Sequence, residues 1–231
     1  DGVTTANWNT AMGHNALKSI TTGYSNVAVG QAALDANTTG YTNVAIGVEA
    51  LGACTTGTGN VAIGVEALDA STTASNNTAV GRSSLGANTT GAYNVAVGYE
   101  SLKKNTTADG NTACGYQALE ENTTGAQNSA FGLNALFANT TASYNSAFGY
   151  AALTDNTTGA QNTAFGQNAL YANTTGNYNT AVGQAALKDS NGNNNTAIGM
   201  KALFENTTAS DNTAVGYNAL LNNTTGETNT A

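Results

Sequence analysis

Apolar and polar residues follow one pattern that repeats along the whole chain. The five-residue segment Asn-(Thr/Val/Ser)-Ala-(apolar)-Gly recurs at intervals of 17 residues, with a single interval of 16. We number each repeat from its first Asn. These first positions are Asn9, Asn26, Asn43, Asn60, Asn77, Asn94, Asn111, Asn128, Asn145, Asn162, Asn179, Asn195 and Asn212, and a truncated copy begins at Asn229. A fixed period of this length indicates a repeat architecture.

Several positions of the repeat hold one residue type throughout. Position three is Ala, position five is Gly and position nine is Leu in all thirteen full repeats, and position four is always apolar. Positions thirteen and fourteen are Thr-Thr in twelve repeats, and position twelve is Asn in nine. The repeated leucines, which we expect to stack as a core ladder, are Leu17, Leu34, Leu51, Leu68, Leu85, Leu102, Leu119, Leu136, Leu153, Leu170, Leu187, Leu203 and Leu220.

The length of the period predicts an all-β fold. Helical repeats need roughly 33 residues to hold two helices and their turns. A Gly and two adjacent Thr in each repeat would also weaken the one helix that could fit. Short strands with turns rich in Gly and Asn suit the period. We therefore predict a parallel β-solenoid, or β-roll, of thirteen coils that stack about 4.8 Å apart.

The domain organisation follows from the same count. We expect a single repeat array over 1–231, with a partial coil at 1–8, full coils over 9–228 and the start of another coil at 229–231. Solenoids need capping units, and none is visible, which predicts a longer chain or an end-to-end filament. The one-residue deletion falls in the turn Ser190–Asn194, where a solenoid tolerates it.

The alternation of side chains along a strand assigns two faces to each coil. Positions two and four share one face, and the Ala and Gly of positions three and five share the other. We expect position four, part of position two and the repeated Leu to form a narrow core. Phe131, Phe148 and Phe165 hold position four in three successive coils and predict an aromatic ladder. The small Ala/Gly face indicates close association between chains, as in a homotrimer.

Composition excludes several classes of partner. Charged residues make up only 9% of the chain, and the net charge is −8 without any acidic or basic run. Six Lys and Arg residues are too few to follow a nucleic-acid backbone, so we expect no nucleic-acid partner. No stretch approaches the ~20 apolar residues that span a bilayer, so we expect no membrane insertion of this segment. The 40% hydrophobic content, strictly placed, argues against disorder.

The repeat resembles those of known surface proteins. Asn-Val-Ala-Ile-Gly at 43–47, Asn-Ser-Ala-Phe-Gly at 145–149 and Asn-Thr-Ala-Val-Gly at 179–183 look like the head repeat of YadA-like trimeric autotransporter adhesins. The longer unit at 162–176 resembles repeats of phage tail-fibre-like and bacterial surface proteins. The resemblance implies a left-handed parallel β-roll, a homotrimer and an extracellular place on a cell or virion surface. The period of 17 residues departs from the adhesin head, whose repeat is shorter.

Residues typical of enzymes do not form a recognisable constellation. His14 is the only histidine, so a His-based triad would have no other candidate for its base. A metal site with several His ligands cannot form within one chain. Glu49, Glu66 and Glu100 share position seven, where a solvated ladder is favoured over a hydrolytic carboxylate pair or a Ca²⁺ site. Cys54 and Cys114 lie four coils apart, too far for a disulfide, and we expect Cys114 to be a small core residue. We predict no enzymatic activity, no cofactor and no metal.

The Asn-Thr-Thr turns allow two interpretations. They match the acceptor pattern for N-linked glycans, and they equally suit turns in which Asn side chains stack as an amide ladder. The ladder is favoured, because glycans on adjacent coils would crowd one another. The nine candidate acceptors are Asn37, Asn88, Asn105, Asn122, Asn139, Asn156, Asn173, Asn206 and Asn223, and Asn76, Asn194 and Asn222 also match.

These observations predict a structural role. We expect a stiff extracellular fibre or stalk segment of a surface adhesin, a phage fibre or a filament, with self-association as a homotrimer or end to end. An alternative is an adhesin whose coil surface binds host glycans, a host protein or matrix directly, through exposed tyrosines such as Tyr99, Tyr116, Tyr150 and Tyr217. Ice binding by the Thr columns is a further alternative. It is less favoured, because adjacent Thr residues in a strand point to opposite faces.

Overall fold

The computed structural model describes residues 5–231. These residues form two compact units, which are divided between Asn111 and Thr112. Both units are β-solenoids built from parallel strands and turns, and the described residues contain no helix. The prediction of an all-β parallel solenoid is thereby confirmed. Residues 1–4 of the predicted partial coil lie outside the described part of the chain.

The first unit contains six strands of three residues each, one from every coil. Neighbours in the sequence pair in parallel, and each residue lies beside the residue 17 positions further on, as Ala28 beside Ala45. The strands are β1 (Thr10–Met12), β2 (Val27–Val29), β3 (Val44–Ile46), β4 (Val61–Ile63), β5 (Thr78–Val80) and β6 (Val95–Val97).

The second unit repeats this arrangement with seven strands. The strands are β7 (Thr112–Cys114), β8 (Ser129–Phe131), β9 (Ser146–Phe148), β10 (Thr163–Phe165), β11 (Thr180–Val182), β12 (Thr196–Ile198) and β13 (Thr213–Val215). The pair β11–β12 keeps its register across the one-residue deletion, with Thr180 beside Thr196. The deletion is absorbed in the turn, where Asn191 Oδ1 accepts hydrogen bonds from the backbone N–H and the hydroxyl of Thr174.

Backbone hydrogen bonds join the coils well beyond these short strands. Around Leu136, for example, the Leu136 N–H donates to the Ala152 carbonyl at 2.9 Å, and the Ala138 N–H donates to the Thr154 carbonyl at 2.9 Å. The same bonds recur in the other coils of each unit. Most of a coil is turn by backbone geometry, yet its polar backbone groups are still satisfied by the next coil.

The core differs from the prediction in one respect. The repeated Leu is buried as expected, and from Leu34 to Leu203 every one has no exposed surface. The Ala of position three is also fully buried from Ala28 to Ala214, whereas positions two and four are half-buried or exposed. The assignment of positions two and four to the core was therefore wrong: the inner face of each strand carries the small residue. The repeated Leu and the buried Asn side chains of each coil fill the interior, so only a small residue fits on the inner face of the strand.

The repeated Leu adopts a backbone conformation that leucine normally avoids. Its φ angle lies between 49° and 57° in all thirteen coils, in the left-handed region. That conformation costs roughly 1–2 kcal/mol per residue. Burial of a whole leucine side chain contributes about 1.5–3 kcal/mol, which offsets the cost.

Position five requires glycine for two independent reasons. The φ angle of Gly149 is 139°, which L-residues rarely adopt, and a Cβ there would lie 2.7 Å from the carbonyl carbon and oxygen of Gly166 in the next coil. Gly132 has the same relation to Gly149. The small residue therefore permits the close approach of two coils of one chain. The close approach of another chain, which the sequence suggested for this face, is not needed to explain it.

Candidate functional site

An exposed apolar surface lies along the outer side of the strands in both units. Because the Ala of position three points inward, positions two and four point outward, and exposed side chains at position six continue the surface. We call this surface the outer apolar face. In the first unit its most exposed members are Met12, Ile46, Val48, Ile63, Val65, Val95, Val97 and Tyr99. In the second unit they are Tyr116, Phe131, Leu133, Tyr150, Phe165, Val182, Ile198, Met200, Val215 and Tyr217.

The predicted aromatic ladder lies on this face. The rings of Phe131 and Phe148 stack with centroids 4.7 Å apart, and those of Phe148 and Phe165 stack at 4.4 Å. The ladder is confirmed, but it does not belong to the core. Phe131 and Phe165 remain 37% and 44% exposed. The ladder places three stacked phenyl rings on the outer apolar face.

A ladder of buried asparagines, which sequence reasoning missed, supports the strands. The first residue of each coil is fully buried from Asn26 to Asn212. In the second unit, Asn145 Oδ1 accepts the backbone N–H of Asn162 at 3.0 Å, and Asn145 Nδ2 donates to the Gly159 carbonyl at 2.9 Å. Each amide therefore joins its own turn to the next coil. The sequence signal for this ladder is that Asn recurs at position one of every coil, whereas the preceding positions sixteen and seventeen vary.

A second amide ladder occupies position twelve. Asn139 Nδ2 donates to Asn122 Oδ1 at 2.8 Å and to the Ala142 carbonyl at 2.9 Å, and Asn156 repeats the pattern one coil on. Asn37 is an exception: the same position holds Ile20 and Cys54 in the adjoining coils, and both polar side-chain atoms of Asn37 are buried without a hydrogen-bond partner. The ladder interpretation of the Asn-Thr-Thr turns fits this geometry.

The candidate glycan acceptors divide by burial. Eight of the nine side chains at position twelve have no exposed surface, and Asn223 is half-buried. A sugar on one of the eight buried amides would have to replace its bonds inside the coil, so the folded chain has no room for it. The three other matches, Asn76, Asn194 and Asn222, are exposed. Of the twelve matches, only these three and Asn223 present their amide to solvent.

The two Thr columns both reach the surface. Thr158 at position fourteen is exposed, and Thr157 at position thirteen is half-buried, with its hydroxyl donating to the Thr174 carbonyl at 3.0 Å. The same hydroxyl bond recurs in most coils, for example from Thr140 to Thr157 at 3.2 Å. The Thr-Thr segment is a bend and not a strand. The premise that these threonines lie in a strand was therefore wrong, and the argument from strand alternation does not apply to them.

Glu66 and Glu100, both at position seven, each bind a nearby side chain. Glu66 Oε2 accepts the hydroxyl of Ser83 at 3.1 Å, and Glu100 is joined to Lys103 at 2.6 Å. A shallow depression of about 260 Å³ lies between Glu66 and Asp69 on one side and Lys103 and Lys104 on the other. Partial burial, with the charges of Glu49, Glu66 and Asp35, raises the pKa of Asp69. Carboxylates that lie near one another and beside polar neighbours along the coil fit the interpretation of a surface ladder.

The two cysteines occupy opposite environments. Both thiols are free. Cys54 is fully buried at position twelve, and burial raises its pKa to about 11, although hydrogen bonding with the Gly57 backbone acts in the other direction. Cys114 is half-buried at position four, which belongs to the outer apolar face. The expectation that Cys114 is a core residue was wrong, and Cys54 is the core thiol.

Other kinds of site were sought over the same residues. Within 5–231, no three His, Cys, Asp or Glu side chains come together in an arrangement suited to a metal ion. No helix long and apolar enough to cross a bilayer occurs in this described part. Comparison of the chain with protein-family models, curated proteins and solved structures gave no significant match.

Proposed function

We propose that this chain is a structural fibre segment in which copies of the chain pack together through the outer apolar face. The observation that carries the proposal is a parallel sheet in each unit that is packed on one side only. Parallel sheets in proteins are almost always covered on both faces. Here Ala and Leu cover the inner face, while the outer face presents Val, Ile and Phe to solvent.

The extent of the face supports the same proposal. In the second unit position two is Ser or Thr in all seven coils, so the apolar strip consists of position four, continued by Tyr, Leu or Met at position six in five coils. With coils about 4.8 Å apart, this strip is roughly 30 Å long. A contiguous exposed apolar surface that runs the length of a unit is typical of an interaction site. A second and third copy of the chain are the occupants that suit this face best, because identical coils present identical periods and each row of side chains meets a row with the same spacing. This arrangement accords with the homotrimer that the resemblance implies.

Within each unit, the hydrogen bonding suits a stiff shaft. Every coil donates to and accepts from its neighbours through the backbone, the Asn ladders and the Thr hydroxyls. Bending a unit would lengthen several of these bonds at once. The resemblance to surface-fibre repeats supports an extracellular role, in which the segment extends a binding tip from a cell or virion. No enzymatic step and no cofactor are needed for that role.

The native mass of the chain tests self-association. We expect light scattering after size-exclusion chromatography to give about three times the 23.1 kDa of one chain. Replacement of Phe131, Phe148 and Phe165 by Thr should lower the mass to that of one chain, while circular dichroism stays unchanged. A matched control, Tyr144→Thr with Tyr178→Thr, removes exposed aromatic rings outside the outer apolar face and should leave the mass as it was. A wild-type mass of 23.1 kDa at micromolar concentration contradicts the proposal.

Adhesion assays separate a shaft from an adhesin. If the segment is only a shaft, surfaces coated with matrix proteins should not retain it. Retention that survives the removal of the Phe ladder would assign a direct adhesive role to the coil surface.

Ice binding is a second candidate, which the two surface-reaching Thr columns favour. The hydroxyls of position thirteen are held in register by bonds to the next coil, and those of position fourteen are exposed. Thermal hysteresis of the purified chain should be measured for this candidate. Its absence at millimolar protein concentration excludes ice binding.

A further inference from the structure

Two exposed tyrosines lie two coils apart in one column of the second unit. Tyr144 and Tyr178 both hold position seventeen, immediately before the buried Asn of the next coil, and each side chain is 60% exposed. Exposed Gln127 and Gln161 hold the same position in the coils before each tyrosine. The column therefore reads Gln, Tyr, Gln, Tyr along the stacking direction. This aromatic column lies outside the outer apolar face.

The backbone at these tyrosines is one that bulky residues avoid. The φ angles are 64° at Tyr144 and 59° at Tyr178, in the left-handed region. The coil imposes this conformation at position seventeen throughout the chain, and a bulky side chain is disfavoured in it. The coil does not require an aromatic residue at this position, because Asn194 occupies it in the same unit at φ 55°. Two rings are thus kept in solvent, in an unfavourable conformation, where a smaller polar residue serves the fold.

The rings stand on a rigid platform. The Tyr144 N–H donates to the Ala126 carbonyl at 3.2 Å, and the Tyr178 N–H donates to the Ala160 carbonyl at 3.1 Å, so each backbone is tied to the preceding coil. The next residues, Asn145 and Asn179, belong to the buried amide ladder. Binding to such a column orders little backbone, which favours affinity.

We infer that the column of Gln127, Tyr144, Gln161 and Tyr178 binds a β-1,4-linked glycan chain that lies along the stacking direction. In such a chain alternate sugars turn over, so the same apolar ring face recurs at every second sugar. Two coil rises, about 9.6 Å, separate the two tyrosines, which is close to that repeat. Each tyrosine ring stacks on one sugar, and Gln161 offers an amide to the hydroxyls of the sugar between them.

Titration with defined oligosaccharides tests this inference. Saturation-transfer NMR of the whole chain should show binding of cellohexaose or chitohexaose, and not of the α-linked maltohexaose. Tyr144→Ala or Tyr178→Ala should weaken binding about tenfold, whereas Tyr→Phe at either position should retain it. No binding of either β-linked oligosaccharide by the wild type overturns the inference.

A swap variant tests the spacing itself. Gln161→Tyr combined with Tyr178→Gln keeps the composition and the number of tyrosines, yet places the two rings in adjacent coils. Because φ at Gln161 is also 59°, the backbone already accepts the left-handed conformation. We expect this variant to bind as weakly as Tyr178→Ala. Binding equal to the wild type contradicts the inference, and so does a change of native mass in any tyrosine variant, since that would place the tyrosines in the self-association interface.

Discussion

The stability that the buried Asn ladder contributes should depend on the protonation of a single substituted side chain. Asn145 accepts the Asn162 N–H and donates to the Gly159 carbonyl, and it has no exposed surface. Asn145→Ala leaves the buried Asn162 N–H unsatisfied, whereas the Gly159 carbonyl keeps the hydrogen bond that Asn156 Nδ2 donates to it at 2.9 Å. One such unsatisfied group costs about 1–3 kcal/mol, so we expect a loss of about 1–3 kcal/mol in the free energy of unfolding.

Asn145→Asp separates hydrogen bonding from packing. The ionised carboxylate can accept the Asn162 N–H but cannot donate to the Gly159 carbonyl, and its charge is buried. The protonated carboxyl group can do both. Its folded pKa should therefore be raised above the unfolded value of about 3.9. The stability that the protonated form contributes is complete below that unfolded pKa and is lost as the pH rises through the folded pKa.

Hydrogen exchange of the Asn162 amide is the appropriate readout, because repeat arrays need not unfold in one step. We expect Asn145→Asp to resemble the wild type near pH 3, and to approach or exceed the loss of Asn145→Ala at pH 7. The differences between variants are compared at each pH, so that the intrinsic pH dependence of exchange cancels. Equal protection of the Asp and Ala variants at both pH values would refute the role assigned to the amide ladder.

Three further predictions use controls that the chain itself supplies. Gly149→Ala should destabilise the second unit by about 1–3 kcal/mol more than Gly216→Ala in thermal unfolding. Both glycines have φ near 135°, but only at Gly149 would a Cβ meet the next coil. Equal losses would assign the whole effect to backbone strain. In a Cys114→Ser background, Cys54 should resist thiol reagents at pH 8 and react on denaturation, since its pKa of about 11 keeps it protonated; rapid labelling of the folded chain would contradict its burial. Leu136→Ala should cost about 2–5 kcal/mol by hydrogen exchange, and a loss below about 1 kcal/mol would show that the core is not the Leu ladder.

Most of the fold could be predicted from the repeat period. Because coils of equal length stack with equal residues in register, the period of 17 predicted the parallel pairing of Ala147 with Ala164, the stacking of Phe148 on Phe165 and the place of the deletion. These features depend only on which residues are repeated. They do not depend on which way a side chain points.

The direction of the strand faces could not be read from the same pattern. An apolar–Ala–apolar triplet alternates equally well with either face inward, and volume favours the larger residues inside. The available space decides otherwise, since Leu153 and the amides of Asn145 and Asn156 already fill the coil beside Ala147. Buried asparagines also contradict the usual preference of Asn for the surface, and only the ladder geometry satisfies them.

The turn conformations could not be predicted from sequence rules. Each coil places a left-handed residue at positions seven, nine and seventeen, and Leu, Glu and Tyr all occur there. Propensity rules reserve that conformation for Gly and Asn. The candidate sites were missed for related reasons. The residues of the outer apolar face were assigned to the core, and the sequence hypothesis of a binding surface considered only the tyrosines of position six.

The side chain of Cys114 offers the most direct test of packing between copies. It lies at position four of β7, on the outer apolar face, and Cys54→Ser leaves it as the only thiol of the chain. If copies pack through this face, a short bifunctional maleimide should convert most of the folded protein to covalent dimers on a denaturing gel, and the Phe131/Phe148/Phe165→Thr variant should not cross-link. If the outer apolar face is not an interface, Cys114 will react with monofunctional reagents and the protein will remain monomeric on the gel, which contradicts the account.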